Sequence, residues 1–208
     1  MTVEELRNDA RYECWLTLRH HEILPFVQEE FSQHSPLLRF YIYLNVLLLV
    51  LMIGLGAWQA YQGMITVGKI IQYSSLGMVL VLTLLVPVHE GIHGLAYKLI
   101  GAPKVKFGSD IRKFIFYAMA DHFVVGPGHF RFVALAPFGI INFFAFFALF
   151  FVSLPYQWLL LGVLLMHLGA CAGDFAMLSF FYRHRREEVY TYDDVAGQVS
   201  YFYRLRQA

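Results

Sequence analysis

Charge and cysteine are the two things this chain is short of, and each shortage removes a class of protein. Only 15% of its 208 residues are Asp, Glu, Lys or Arg, against 58% hydrophobic and 17% aromatic. Soluble domains carry about 25% charged residues, so the expectation is one compact membrane unit. The net charge is +1 and the basic residues are spread along the chain, which argues against nucleic acid as a partner. The two cysteines, Cys14 and Cys171, lie in a polar segment and an apolar run. They are too few and too separated for a disulfide framework or a cysteine zinc site. The chain up to Arg39 lacks a continuous apolar core, so no cleavable signal peptide is expected there.

Long apolar runs are abundant. Four spans are expected, at about Phe40–Tyr61, Ile71–Ile100, Val133–Ser153 and Trp158–Tyr182, each long enough to cross a hydrocarbon core about 30 Å thick. Between the second and third, the runs Lys104–Phe107, Phe114–Tyr117 and His122–Val125 are punctuated by Gly108, Gly126, Pro127 and Gly128, and read as short strands. A small sheet there would cover the mouth of a membrane site, and its exposed edge would accept a substrate as an added strand. Thr2–His34 reads as one or two amphipathic helices broken at Pro25, and the tail as a short helix N-capped by Asp193 or Asp194. The expected fold is therefore an all-α membrane protein of four transmembrane helices with a small strand-like insert between helices 2 and 3. Its parts are an amphipathic segment over residues 1–36, a membrane domain over 37–182 and a tail over 183–208. Lys98, Lys104, Lys106, Arg112, Lys113 and Arg131 lie between the second and third spans, and Arg183, Arg185 and Arg186 follow the fourth. By the positive-inside rule both termini are then cytoplasmic.

One stretch breaks the apolar pattern, His89-Glu90-Gly91-Ile92-His93, inside the second span. An ionisable side chain at bilayer depth costs on the order of 3 kcal/mol, so three together call for a metal or a wet cavity. On a helix, His89 and His93 project one turn apart from one face, where two imidazoles can hold a zinc ion. Glu90 lies beside that face, placed to take a proton from a water that the metal has acidified. Pro87, just before the box, removes a hydrogen bond to the carbonyl of Thr83 and is expected to distort the helix.

Catalytic zinc usually takes three protein ligands, so one must come from elsewhere. At about 1.5 Å per residue, His89 lies roughly 14 Å inside Lys98 and Asp174 roughly 14 Å inside Arg183. The depths agree, and a carboxylate in a span needs a cation, so Asp174 is the expected third ligand. His167, seven residues earlier in the same span, is the competitor and could instead be a donor behind a ligand. Asn142 is the lone polar residue of the third span, placed to bond a neighbouring helix or to orient substrate. His122, His129 and His167 are candidates for stabilising an oxyanion.

His89-Glu90-Gly91-Ile92-His93-Gly94 in a span, a strand-like insert, and Gly173-Asp174 in a later span resemble the family named Putative zincin peptidase, small bacterial membrane proteins related in plan to site-2 proteases. The resemblance runs from about Ser74 to Tyr203. It implies His89, His93 and Asp174 as metal ligands, Glu90 as catalytic base, Zn2+ as cofactor, and residence in the bacterial inner membrane. Site-2 proteases precede their distal aspartate with Asn-x-x-Pro and follow it with glycine, whereas here Gly173 precedes Asp174 and Phe175 follows it. The expected activity is a zinc-dependent membrane endopeptidase acting on membrane or membrane-proximal proteins. A metal-binding but non-catalytic scaffold or sensor is the alternative, and it would keep the ligands and turn over no peptide.

Overall fold

In the computed structural model, which describes residues 1–110 and 115–206, three helices are long and apolar enough to cross a membrane, or four if a bent pair is one span. The first is α3 (Pro36–Tyr61), after two shorter helices, α1 (Val3–Asn8) and α2 (Ile23–Ser32). Ser35 is the N-cap of α3, its Oγ accepting the Leu38 N–H at 3.2 Å, and Pro36 occupies the first turn, where no N–H is needed.

The second span is 33 residues long and continuous through α4 (Val67–Leu80), a π-helical stretch (Val81–Leu85) and α5 (Val86–Leu99). Pro87 sits in the first turn of α5, and the Val86 N–H reaches back five residues to the Val81 carbonyl. Instead of an interrupting bend, the proline is accommodated by a π-turn directly before the histidine box, within one continuous helix. The third span is α6 (Pro127–Ala148), which begins and ends earlier than the apolar run suggested.

The fourth run is two helices, α7 (Leu154–Ala170) and α8 (Ala172–Arg183), bent by 44° around Cys171. Large apolar side chains such as Val50 and Leu51 on α3, and Phe143 and Phe144 on α6, are exposed, as lipid-facing surfaces require. Inside, α4 and α7 meet backbone to backbone. A Cβ on Gly162 would stand 2.1 Å from the Ser74 carbonyl oxygen, and one on Gly77 2.0 Å from that of Leu159.

The insert is a hairpin of β2 (Val105–Asp110) and β3 (Ile115–Ala120), antiparallel with Val105 opposite Ala120. It lies on α5 at Gly94, where a Cβ would be 2.5 Å from the Phe107 ring. The run His122–Val125 is not a strand and makes only an isolated bridge between Val125 and Thr191, beside one between Asp121 and Asp193. Arg112, Lys113 and Phe114 lie outside the described residues.

The two ends of the chain depart most from expectation. β1 (Tyr12–Arg19), β4 (Tyr190–Asp194) and β5 (Val199–Leu205) form an antiparallel sheet in the order β1-β5-β4, so the fold is not all-α. The stretch read as an amphipathic helix across Tyr12–Arg19 is a strand, because it finds a partner edge in β5. Pro25 does not break a helix; it is the third residue of α2, where the N–H groups have no intrahelical partner anyway. The tail helix is a hairpin. Asp194 accepts the Gly197 N–H at 2.9 Å, the same side-chain chemistry as an N-cap, but it closes a turn instead. On one face of this sheet Leu18, Thr191, Ser200 and Phe202 are buried towards the helices, and α2 is fastened to α8 by an ion pair of buried Glu30 with Arg183.

Candidate metal centre

The geometry begins with α5. His89 and His93 stand four residues apart, both buried, with their Nε2 atoms 3.1 Å from each other. Asp174, in the first turn of α8, brings Oδ2 to 3.2 Å from His89 Nε2 and Oδ1 to 3.2 Å from His93 Nε2. Two ring nitrogens of α5 and the two oxygens of one carboxylate on α8 thus face one another, with each nitrogen 3.1 Å from the other and 3.2 Å from its own carboxylate oxygen. Tetrahedral zinc with bonds of about 2.0–2.1 Å sets neighbouring ligand atoms roughly 3.3 Å apart, so these nitrogen–nitrogen and nitrogen–oxygen spacings are of the right size for such an ion.

Proton bookkeeping points the same way. The Nδ1 of His93 lies 3.0 Å from the Val133 carbonyl, which only accepts, so Nδ1 carries the hydrogen and Nε2 of the neutral ring is bare. On the other histidine, His89 Nδ1 lies 3.1 Å from His167 Nε2, and His167 Nδ1 lies 3.3 Å from Asn142 Oδ1. Asn142 gives its amide hydrogen to the Phe138 carbonyl at 2.8 Å, leaving Oδ1 to accept. The chain then has one direction: His89 donates to His167, and His167 donates to Asn142. Two bare Nε2 atoms and a carboxylate therefore face one another, an arrangement that repels itself unless a cation sits among them.

His167 and Asp174 are thereby separated in place. Asp174 meets the Nε2 side of His89, whereas His167, only 1% exposed, meets its Nδ1 side. Cys171 Sγ lies 4.0 Å from His167 Nε2, so His89, His167 and Cys171 make a second cluster that shares His89. A third cluster of Asp121, His122 and Asp194 sits at the sheet, where Asp121 is already paired with Lys106 at 2.8 Å.

A cavity of about 200 Å³ opens beside these ligand atoms. Glu90, His93 and Asp174 line its floor, and Tyr117, Ala118 and Met119 of β3 line one side. Leu18 of β1 and Thr191, Asp193 and Ser200 of the terminal hairpin also line it. These residues escaped the sequence reading, since nothing in their spacing links them to the histidine box. His122 is half-exposed against Asp121 and His129 borders a different surface pocket, so neither of these oxyanion candidates lines this cavity, nor does His167.

Fold and site together define a helical protein with membrane-length apolar spans and a buried histidine–aspartate centre suited to a divalent metal. The chain belongs to the family described as Putative zincin peptidase, whose model matches residues 82–189, just over half of its length. That membership supports a zinc metallopeptidase. No curated protein and no solved structure gives a match.

Proposed function

We propose that this protein is a zinc-dependent, membrane-embedded endopeptidase that cleaves peptide bonds of membrane or membrane-proximal proteins. The observation that carries the reading is the convergence of His89 Nε2, His93 Nε2 and the Asp174 carboxylate at 3.1–3.2 Å, on the floor of a cavity that Glu90 shares. His89, His93 and Asp174 would hold a zinc ion, which would supply the Lewis acidity that polarises a carbonyl and acidifies water. Glu90 takes the proton from the attacking water and delivers it to the leaving amine. Glu90 and Ala118 of β3 line the same cavity, which sets the base beside the strand proposed to receive substrate. An extended segment laid along β3 as a further strand presents its carbonyls in sequence to the floor. His167 and Asn142 fix the ring of His89, and the Val133 carbonyl fixes that of His93. The basic residues flanking the spans favour an inner membrane with both termini on the cytoplasmic side.

The test joins metal analysis to turnover. Purified wild type should hold one zinc per chain, and His93→Ala and Asp174→Ala should lose it. Glu90→Gln should retain zinc and lose about 10²–10⁴-fold in the rate of cleaving a peptide found by library screening. A Glu90→Gln protein as fast as wild type removes Glu90 from the mechanism, and zinc retained in Asp174→Ala moves the third ligand elsewhere.

A further inference from the structure

The cavity over the metal centre has a wall whose chemistry the hydrolytic step does not use. Thr191, Asp193, Ser200 and Phe202 belong to one pleat face: Thr191 opposes Phe202 and Asp193 opposes Ser200 across the β4–β5 ladder, and all four line the cavity. Leu18 of β1, opposite Ser200 on the far side of β5, continues the same face. The Asp193 side chain is therefore directed inward, towards Glu90, His93 and Asp174. Around it the walls are mostly apolar, with Ile23, Val27, Phe116, Met119 and Met177 among them.

Two neighbouring aspartates on this sheet are treated differently. Asp121 pairs with Lys106 at 2.8 Å and Lys104 at 3.6 Å, and the Lys106 bond above all holds its carboxyl well below the usual range. Asp193 accepts only a hydroxyl hydrogen, from Ser200 at 2.6 Å, and among the described residues no cation pairs with it. Burial, with the nearby Asp121 adding to it, pushes its carboxyl up from 3.8 to about 6 despite that bond. At neutral pH the cavity thus presents a carboxylate that no cation among the described residues pairs, set among mostly apolar walls in the cavity that Glu90, His93 and Asp174 also line.

We propose that Asp193 is the floor of a side-chain subsite for a basic residue, so that the enzyme prefers substrates with a lysine or arginine close to the scissile bond. The proposal rests on the peptidase reading above. A long basic side chain fits both features of the cavity, its methylene stem against Leu18, Met119 and Phe202 and its cationic tip on Asp193, Ser200 and Thr191. Neutralising an unpaired buried carboxylate gives the cation an advantage over an apolar side chain of equal length.

Paired N-acetylated peptides that differ only by lysine or norleucine at positions flanking the cleaved bond test this in full-length, zinc-loaded protein. Wild type should cleave the best lysine peptide with a kcat/KM at least tenfold above its norleucine twin. Asp193→Asn should bring that ratio to about one, Asp193→Glu should keep it, and Asp193→Gln serves as the neutral variant if Asp193→Asn fails to hold zinc. A ratio near one in wild type, or a tenfold ratio surviving in the neutral variants, overturns the subsite while leaving peptidase activity in place. A preference that requires the same peptide with a free amino terminus, and vanishes on acetylation, also overturns it, since the cation read would be the terminus. Binding of fluorescent forms of the same peptides to zinc-loaded Glu90→Gln separates the two readings. A lysine preference in binding, lost in Glu90→Gln/Asp193→Asn and accompanied by no turnover in wild type, upholds the subsite and sinks the peptidase reading.

Discussion

Replacing His167 by leucine tests whether it supports the metal centre from behind or belongs to it. The side chain is 1% exposed, and its Nε2 is the acceptor, at 3.1 Å, for His89 Nδ1. Leucine fills most of the space and accepts nothing, so the buried N–H of His89 is left without a partner. Such a loss costs about 1–3 kcal/mol, and because the orientation of His89 is needed only when metal is held, the cost falls on metal affinity. Zinc should bind roughly five- to 150-fold more weakly, in line with the 10–100-fold typical of partners behind a ligand. His167→Gln can offer its amide oxygen to the same N–H and should recover part of the loss. The assay is competition with a chromophoric chelator, read together with zinc per chain, which should stay at one in all three proteins. Affinity within twofold of wild type would show that the His89–His167 bond does not matter. Zinc absent from His167→Leu but present in Asp174→Ala would exchange the roles assigned to the two residues.

Two further outcomes follow from the packing and from the sheet. Gly162→Ala would place a methyl group 2.1 Å from the Ser74 carbonyl oxygen, forcing α4 and α7 apart by about 1 Å at a cost of about 1–3 kcal/mol. Thermal unfolding in detergent should fall by several degrees, while Gly139→Ala on α6, with open space at its Cβ, should leave it unchanged; equal melting temperatures would refute the tight crossing. Asp193 should make stability depend on pH. Its carboxyl titrates near 6 in the fold against 3.8 ordinarily, so the folded state holds the proton more tightly and the benefit is lost as pH rises through about 6. In metal-stripped protein, Asp193→Asn should match wild type near pH 4 and exceed it near pH 8 by about 2–3 kcal/mol, and a constant difference across that range would contradict the unpaired carboxylate.

Which parts of this could be read from the sequence follows from the range of the interactions involved. His89 and His93 are related by one helical turn, so their convergence is a local property that spacing reveals. Asp174 was found through a less local argument, equal depth below two clusters of positive charge, and it does stand beside both imidazoles. The bend at Cys171 was not anticipated, because hydropathy averages over a span, though the run Gly169-Ala170-Cys171-Ala172-Gly173 was the available signal. The sheet of the two ends was beyond reach for a different reason. β1 is amphipathic enough to pass for a helix, and only its pairing with β5, Tyr12 to Leu205 and Arg19 to Val199, decides in favour of a strand.

That pairing divides the site into two parts of different origin. Glu90, His93, Asp174 and the β3 strand all lie within residues 82–189, the part of the chain that matches the family. Leu18, Thr191, Asp193, Ser200 and Phe202, which also line the cavity, all lie outside it. On the proposed reading, the ligands His89, His93 and Asp174 and the base Glu90 all come from the matching segment, which then carries the chemistry. A floor alone does not discriminate among peptides, since β-strand addition reads main chain and every substrate has one. Discrimination has to come from side-chain contacts, and in the proposed subsite the surface that supplies them is built by strands from the two ends of the chain. On that reading, a chain with the same box and another residue where Asp193 or Ser200 stands would keep the reaction and change the peptide it takes.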